Sequence, residues 1–345
     1  MPAEPLVSVI VPVRNEERTG ARCLGALLAQ DYPAPRTEIL IVDGRSDDRT
    51  REIVRRHPHV RLLDNPRRHA APALNVGTAA ARGEIVARVD GHAIVPPDFL
   101  SRCVAALARR PDVECVSGAL VTIGRTRTGE AIAAAMSSPA GVGTARFRTG
   151  AAGECLVDTV AFPVYRRATL ARLGPYDEEL VRNQDDEFNL RLTRRGGRIL
   201  LLPELRVVYF CQDTLRGLAR QYAQYGFWKV RVIRKHGAPA SWRHLVPATL
   251  VAALLGALVV ALAVPALRPV ALLLPVAYVA AVAATGAWLG RRRDASAVRI
   301  AAALATLHLA YGAGFWVGLG RLALAPRPVT VSSAPRPSAE AASPS

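Results

Sequence analysis

Gly83-Glu84-Ile85-Val86-Ala87-Arg88-Val89-Asp90-Gly91-His92 decides how the rest of the chain is read. Its apolar run, Ile85 to Val89, has the length and β-branched content of a buried strand and delivers Asp90 and His92 at its end. In an open α/β sheet, ligands sit at such strand ends. If extended geometry continues past Val89, Asp90 and His92 point the same way, so a carboxylate oxygen and an imidazole nitrogen can share one divalent cation. An isolated Asp-x-His is also what a turn aspartate beside a solvated histidine looks like, so the flanking segments have to decide.

Leu6-Val7-Ser8-Val9-Ile10-Val11-Pro12 reads as a first strand, and Val13 to Arg18 as a loop leading into a helix to about Gln30. Glu38 to Val42 is a second strand, apolar without alternation, as a strand covered on both faces requires. It runs into Asp43-Gly44-Arg45-Ser46-Asp47-Asp48-Arg49-Thr50, where Ser46 or Asp47 is placed to cap a helix with Ile53-Val54 on its apolar face. Val60 to Leu63 is a third strand, Ala73 to Ala80 a helix, and Ile85 to Val89 the fourth strand. This alternation predicts a mostly parallel, three-layered α/β sheet. A parallel sheet brings Pro12 to Glu16, Asp43 to Asp48, and Asp90 with His92 to one edge, forming one polar pocket. Neither Gly-x-Gly-x-x-Gly after the first strand nor Gly-x-x-x-x-Gly-Lys-Ser/Thr occurs, which disfavours dinucleotide and P-loop chemistry.

The 345 residues carry a net charge of +17 and are 50% hydrophobic, with most of the apolar excess after Leu245. That length holds one large domain plus an appendage. The charge admits nucleic acid, anionic lipid or an anionic substrate. Without a helix-turn-helix, zinc spacing or an aromatic RNA-binding strand, no nucleic-acid partner is expected. Cys23, Cys103, Cys115, Cys155 and Cys211 are scattered and odd in number, which predicts reduced thiols. No basic region followed by an apolar core opens the chain, so a cytosolic N-terminus is expected.

Residues 6–235 resemble family 2 glycosyltransferases of the GT-A fold. The resemblance rests on Val9 to Glu16, Val42 to Thr50, Arg88 to His92, and Asn183-Gln184-Asp185-Asp186-Glu187-Phe188. Val157-Asp158-Thr159-Val160, Arg182 to Phe188 and Gln224-Tyr225-Gly226-Phe227-Trp228-Lys229 are most similar to the membrane-bound branch typified by the succinoglycan-biosynthesis glucosyltransferase. It implies that Asp43 contacts the base of a nucleotide-sugar, that the loop of Pro12, Arg14, Asn15 and Glu16 lines the nucleotide pocket, and that Asp90 binds the metal on the diphosphate. Ser46, Asp48, Asn75 and Arg88 fall on the same donor side. The usual Asp-x-Asp is here Asp90-Gly91-His92, so the second metal ligand becomes an imidazole, which favours Mn²⁺ somewhat over Mg²⁺. Gly44 stands where the family commonly has another Asp.

Asp98 to about Arg110 suggests a helix and Val113 to Val121 a strand, while Thr122 to Gly153 lacks periodicity and reads as a long loop, either a binding lid or disorder. Gln184, Asp186 and Glu187 flank Asp185 at the start of a helix. Acids there are commonly dipole partners, although adjacent carboxylates also raise one another's pKa, as a general base requires. The family pattern places the base at Asp185, with Asp158, Gln184, Asp186, Glu187, Gln224 and Trp228 around the acceptor or diphosphate. A hydroxyl deprotonated by Asp185 would attack the anomeric carbon in line with the leaving nucleoside diphosphate, inverting it in one displacement. Gln224 and Trp228 match the Gln-x-x-Arg-Trp of processive synthases, but Phe227 replaces the Arg. Tyr222 to Lys235 therefore reads as an interfacial amphipathic helix.

Residues 245–264, 270–289 and 300–319 are each about 20 residues long without Asp, Glu, Lys or Arg, and each can cross a bilayer. Arg231, Arg234, Lys235 and Arg243 precede the first, and Arg291, Arg292, Arg293 and Arg299 separate the second from the third. The positive-inside rule puts that side, and the catalytic domain, in the cytosol, with a multi-pass anchor in the plasma membrane. The third segment can alternatively be re-entrant, and His308 within it is read as a helix contact. The expected organisation is a catalytic domain at 1–235, a membrane domain at 236–324 and a disordered tail at 325–345. The expected function is inverting, metal-dependent sugar transfer from a nucleotide-sugar to a lipid-linked or polysaccharide acceptor at the membrane. The alternatives are a processive polysaccharide synthase and a non-catalytic membrane scaffold.

Overall fold

The computed structural model describes residues 4–324, so the expected tail at 325–345 lies outside the described residues. The first half holds β1 (Val7–Val13), α1 (Gly20–Leu28), β2 (Thr37–Asp43), α2 (Thr50–Arg55), β3 (Val60–Asp64), α3 (Ala70–Ala80), β4 (Ile85–Arg88), β5 (Ala93–Ile94) and α4 (Phe99–Arg109). There follow β6 (Cys115–Ile123), α5 (Arg127–Met136), α6 (Pro139–Val142), α7 (Arg146–Thr149), β7 (Cys155–Val157), β8 (Val164–Arg166) and α8 (Arg167–Leu173). The chain closes with α9 (Gln184–Arg194), β9 (Ile199–Phe210), α10 (Leu215–His236), α11 (Val246–Ala263), α12 (Arg268–Arg293) and α13 (Ala297–Leu324).

One sheet runs in the order β3-β2-β1-β4-β8-β6-β9-β5, with β7 also on β9. Its first four strands are parallel, and Val9 sits between Ile39 and Ala87. β8 is antiparallel to both β4 and β6, whereas β6 and β9 are parallel. Continuous apolar runs make this possible: every residue of β1 except Pro12 is buried, and so is all of β4. The glycines flanking β4 answer to steric crowding. A Cβ on Gly83 would lie 2.6 Å from the Ser8 nitrogen, and one on Gly91 2.8 Å from Val13 Cγ1. The buried Ser8 hydroxyl donates to Glu38 at 2.5 Å and accepts the Gly83 N–H at 2.7 Å, so β1, β2 and the start of β4 share one satisfied polar node.

The stretch read as a long loop from Thr122 is built otherwise. β6 continues to Ile123, and α5 places Ala131 to Met136 in the core, against β6 and α13. The six residues from Ala131 to Met136 are buried on every side, and such a run shows no amphipathic period, which is why the pattern concealed it. The cap expected from Ser46 or Asp47 is also absent; Asp48 accepts the Thr50 N–H at 2.9 Å instead.

Three helices are long and apolar enough to cross a membrane: Trp242–Ala263, Pro265–Arg293 and Ala297–Ala323. α11 and α12 leave Leu255, Leu258, Val259, Leu273 and Val276 exposed, while α13 buries Ile300, Ala303, Leu304 and Leu307. α13 is the seam of the molecule. Gly226 of α10 leaves no room for a Cβ against the Tyr311 carbonyl, and Gly314 of α13 none against that of Ala223. Small residues thus let the two backbones approach closely. α10 therefore packs along α13 rather than lying free at an interface. His308 is a helix contact, donating from Nε2 to the Ala140 carbonyl at 2.8 Å and accepting from the Tyr278 hydroxyl at 3.2 Å.

Candidate active site

A cavity of about 720 Å³ opens where the parallel strands end. Asn15, Glu16, Asp48, Arg88, Asp90 and His92 line it from one side, and Arg148, Arg182, Gln184, Asp185, Tyr209 and Tyr225 from the other. A space of about 400 Å³ adjoins it, walled by Pro12, Arg14, Gly44, Arg68, Arg88 and Asp90. The three strand ends therefore do meet.

They are knitted together by the chain itself. Ser46 Oγ accepts the Asn15 N–H at 2.9 Å, Asn15 Oδ1 the Asp47 N–H at 3.0 Å, and Asp48 the Glu17 N–H at 3.0 Å. Asn15 adopts φ 56°, a left-handed turn that Asn tolerates better than most residues. Asp43 is fully buried and bound to Arg51 at 2.7 Å and to the Ser46 N–H at 3.2 Å, so Gly44 rather than its carboxylate faces the space.

The strand ends at Arg88, and Asp90 and His92 turn to different partners. Arg88 donates to both Asp90 oxygens, from Nε at 3.0 Å and Nη2 at 3.2 Å, while its Nη1 is buried, unpartnered and 3.9 Å from Asp185. Burial pushes the Asp90 carboxyl up, but the Arg88 guanidinium and His92 outweigh this and hold it below the usual carboxylate range. His92 Nδ1 lies 3.0 Å from Glu16 Oε1. Burial pulls the imidazole down, yet Glu16 and Asp90 raise it above its ordinary value. Among the described residues no three His, Cys, Asp or Glu side chains gather as a metal cage. Both Asp90 oxygens are held by Arg88 and His92 Nδ1 by Glu16, so a cation here would need the carboxylate's remaining lone pairs and a neutral His92 Nε2, with its other ligands from a diphosphate.

The third wall comes from α9. Asn183, at φ 62°, turns into the helix and donates to the Tyr225 carbonyl at 2.9 Å, which fixes Asp185 at the helix start facing the cavity. The adjacent acids diverge from it. Asp186 turns to Lys229 at 2.5 Å; burial pushes it up, but Lys229 and His244 bring it below its ordinary value, against the expected mutual raising. Glu187 is fully buried between Arg191 at 2.9 Å and His236 at 2.9 Å, on the face of α9 away from the cavity.

Five other expected positions, Ser46, Asn75, Asp158, Gln224 and Trp228, line none of the cavities. Asn75 ties α3 to the chain before α9, accepting the Tyr176 N–H at 2.8 Å and donating to Glu178 at 2.8 Å. Gln224 accepts from Arg182 at 3.0 Å, and Trp228 packs on Leu180, Leu190 and Val232. Both lie on the same stripe of α10 as Gln221 and Tyr225, which do line the cavity, so what removes them is their partners: Arg182 for Gln224 and the Leu180 cluster for Trp228. Asp158 is bound to Arg243 at 2.7 Å. Arg182, Tyr209 and Gln221 were not singled out by sequence; Tyr209 had a usable signal, lying at the end of a long strand beside the Asp90 loop.

With the geometry established, the chain can be set beside known proteins. It is 32% identical over 320 residues to the succinoglycan biosynthesis protein ExoA of Rhizobium meliloti, covering 89% of this chain and 93% of that one. The family model of glycosyl transferase family 2 matches residues 8–173. The chain belongs to that family. A second relative is a dolichyl N-acetyl-alpha-D-glucosaminyl phosphate 3-beta-D-2,3-diacetamido-2,3-dideoxy-beta-D-glucuronosyltransferase of Methanococcus voltae, 28% identical over 66% of this chain and 74% of its own. The mannosyltransferase PcManGT of Pyrobaculum calidifontis, solved with GDP-Man and Mn²⁺, superposes with a TM-score of 0.57 at 25% identity, covering 92% of this chain and 88% of that one. The family 2 domain here is thus a GT-A fold followed by three apolar helices.

Proposed function

We propose that this family 2 glycosyltransferase moves a sugar, with inversion, from a nucleotide-sugar to a lipid-linked or polysaccharide acceptor at the membrane. The observation that carries the reading is the position of Asp185. It stands in the wall shared by the large strand-end cavity and a second cavity of about 330 Å³ between α9, α10 and α13. A base placed between two chambers can take a proton from a hydroxyl entering one while the anomeric carbon waits in the other.

The donor's base and ribose would lie against Pro12, Arg14 and Gly44, with the diphosphate towards Arg88, Arg182 and Asp90. Asp90 and His92 would hold a divalent cation, Mn²⁺ or Mg²⁺, which when bound offsets the charge of the leaving diphosphate. Arg88 keeps Asp90 ionised and oriented, and the Asn183 turn holds Asp185 towards the incoming hydroxyl. The GDP-Man and Mn²⁺ bound by the archaeal mannosyltransferase support this donor and metal class. The dolichyl-linked phosphate named for the Methanococcus voltae relative supports a lipid-linked acceptor. The basic residues between the apolar segments support a cytosolic catalytic domain on a multi-pass anchor in the plasma membrane.

The test is nucleoside diphosphate release from a panel of nucleotide-sugars, with Mn²⁺ or Mg²⁺ and a membrane lipid extract. Turnover of one donor, dependent on extract and abolished by chelation, is expected. Absence of both turnover and donor binding across the panel would overturn the reading.

A further inference from the structure

The second cavity holds three polar atoms that nothing in the protein satisfies. Tyr311 Oη on α13, His244 Nδ1 in the turn Trp242–His244, and Arg148 Nη1 after β6 are all buried, and each residue lines this cavity. Unpaired buried donors are costly, so three at one place need an explanation. Tyr311 has a hydroxyl to donate, the His244 nitrogen can carry a proton, and an Arg nitrogen can only donate. Asp185 and Asp186 also line the cavity, yet neither is hydrogen-bonded to any of these three atoms. Lys229 and Arg243 are committed to Asp186 at 2.5 Å and Asp158 at 2.7 Å, so Arg148 brings a cation that no carboxylate meets there.

Away from the polar wall that holds Thr159, Asn183, Asp185 and Asp186, one end of the lining is apolar. Val246 and Pro247 begin α11, and Leu307 belongs to α13, so this end is built from the membrane-spanning helices themselves. Val246 is 63% exposed, which leaves the mouth facing the surface that a bilayer would cover. An acceptor-rich anion at one end and a hydrocarbon surface at the other describe one kind of ligand.

We propose that this cavity binds the phosphate headgroup of a long-chain lipid phosphate, with Tyr311, His244 and Arg148 as its donors and the Val246–Leu307 mouth as the path of its chain. This deepens the acceptor half of the function proposed above and rests on it for the role of Asp185. The binding site itself stands on the unpartnered donors and the lining.

Binding of dodecyl phosphate, dodecanol and inorganic phosphate to the full chain is compared in maltoside micelles, without donor or metal. Dodecyl phosphate is expected to bind at least about tenfold more tightly than either of the others. Tyr311→Phe should weaken it about tenfold, the loss of one hydrogen bond to a charged group. Val246→Trp, a change at an exposed position, should weaken dodecyl phosphate while leaving inorganic phosphate unaltered. Equal binding of dodecanol, or dodecyl phosphate binding indifferent to both substitutions, would overturn the site. Inorganic phosphate binding as tightly as dodecyl phosphate would reduce it to a bare anion site. Because no nucleotide-sugar is present, a failed donor panel leaves this result standing, and a failure here leaves donor turnover untouched.

Discussion

The strand-end cavity and the second cavity draw their walls from different kinds of element. The first rises from loops that follow β1, β2 and β4 and bind one another: Asn15 to Ser46, Glu16 to His92, Arg88 to Asp90. The second is assembled from α6, α9, α10, α13 and the turn before α11, elements far apart in sequence, and leaves donors on Tyr311, His244 and Arg148 unmet. Loops that bind one another are held in shape before a ligand arrives, although the first cavity too keeps unpartnered atoms, at Arg88 Nη1, Gln184 Oε1 and Gln221 Oε1. A pocket with orphaned donors has its hydrogen-bonding completed by what enters it.

Asp185, on the wall between them, gives the largest effect. Asp185→Asn is expected to lower transfer by about 10²- to 10⁴-fold, the usual worth of a positioned base. Donor binding, measured by displacement of a fluorescent nucleotide, should hardly change. Full activity in the variant would remove Asp185 from the chemistry. Asp90→Ala comes next: metal-dependent donor affinity should fall about 10- to 100-fold, while binding in chelator is little altered. An unchanged metal dependence would leave the cation unconnected to Asp90.

Asn75→Ala tests whether the donor side ends where the cavity wall ends. Asn75 lines none of the cavities, and its amide joins α3 to Tyr176 and Glu178. Its loss should cost about 1 to 3 kcal/mol of stability in a denaturant titration and leave the donor KM unaltered. A raised donor KM in a fully stable protein would restore Asn75 to the binding surface.

How far each cavity was legible follows from the same contrast. The strand ends were readable because a strand covered on both faces writes a continuous apolar run, and the polar residues after it must emerge at one edge. On that basis Pro12 to Glu16 and Asp90 were expected at one edge, where they line adjoining cavities, and Asp185, expected from the family pattern, lines the same space. Glu187 and Asp186 could not be separated from Asp185 by chemistry, only by the 100° turn per residue that sends one to Arg191 and another to Lys229. Gln224 and Trp228 share a helix face with the cavity-lining Gln221 and Tyr225, and only the tertiary partners, Arg182 and the Leu180 cluster, turn them from the cavity. Tyr311 and His244 were illegible because their meeting depends on α13 docking against α10, which Gly226 and Gly314 permit but no local pattern announces.

The smallest prediction probes the rigidity of the first cavity from behind. Glu38 is buried beneath the parallel strands, accepting from Ser8 at 2.5 Å, the Arg82 N–H at 2.5 Å and Arg82 Nε at 3.0 Å. Burial alone would push its carboxyl up, but these hydrogen bonds and the Arg82 charge leave it below its ordinary value. A group whose pKa is depressed on folding contributes stability above its unfolded pKa and loses it as pH falls through the folded one. The contribution should therefore be intact at neutral pH and fade from about pH 4 downward, by about 1 kcal/mol since Arg82 is itself exposed. Glu38→Gln should remove that acid-limb slope in denaturant titrations run from pH 7 to pH 3. A variant with the parent's slope would mean that the β1–β2–β4 node is held by apolar packing alone, and that the strand-end loops owe their geometry to their own hydrogen bonds.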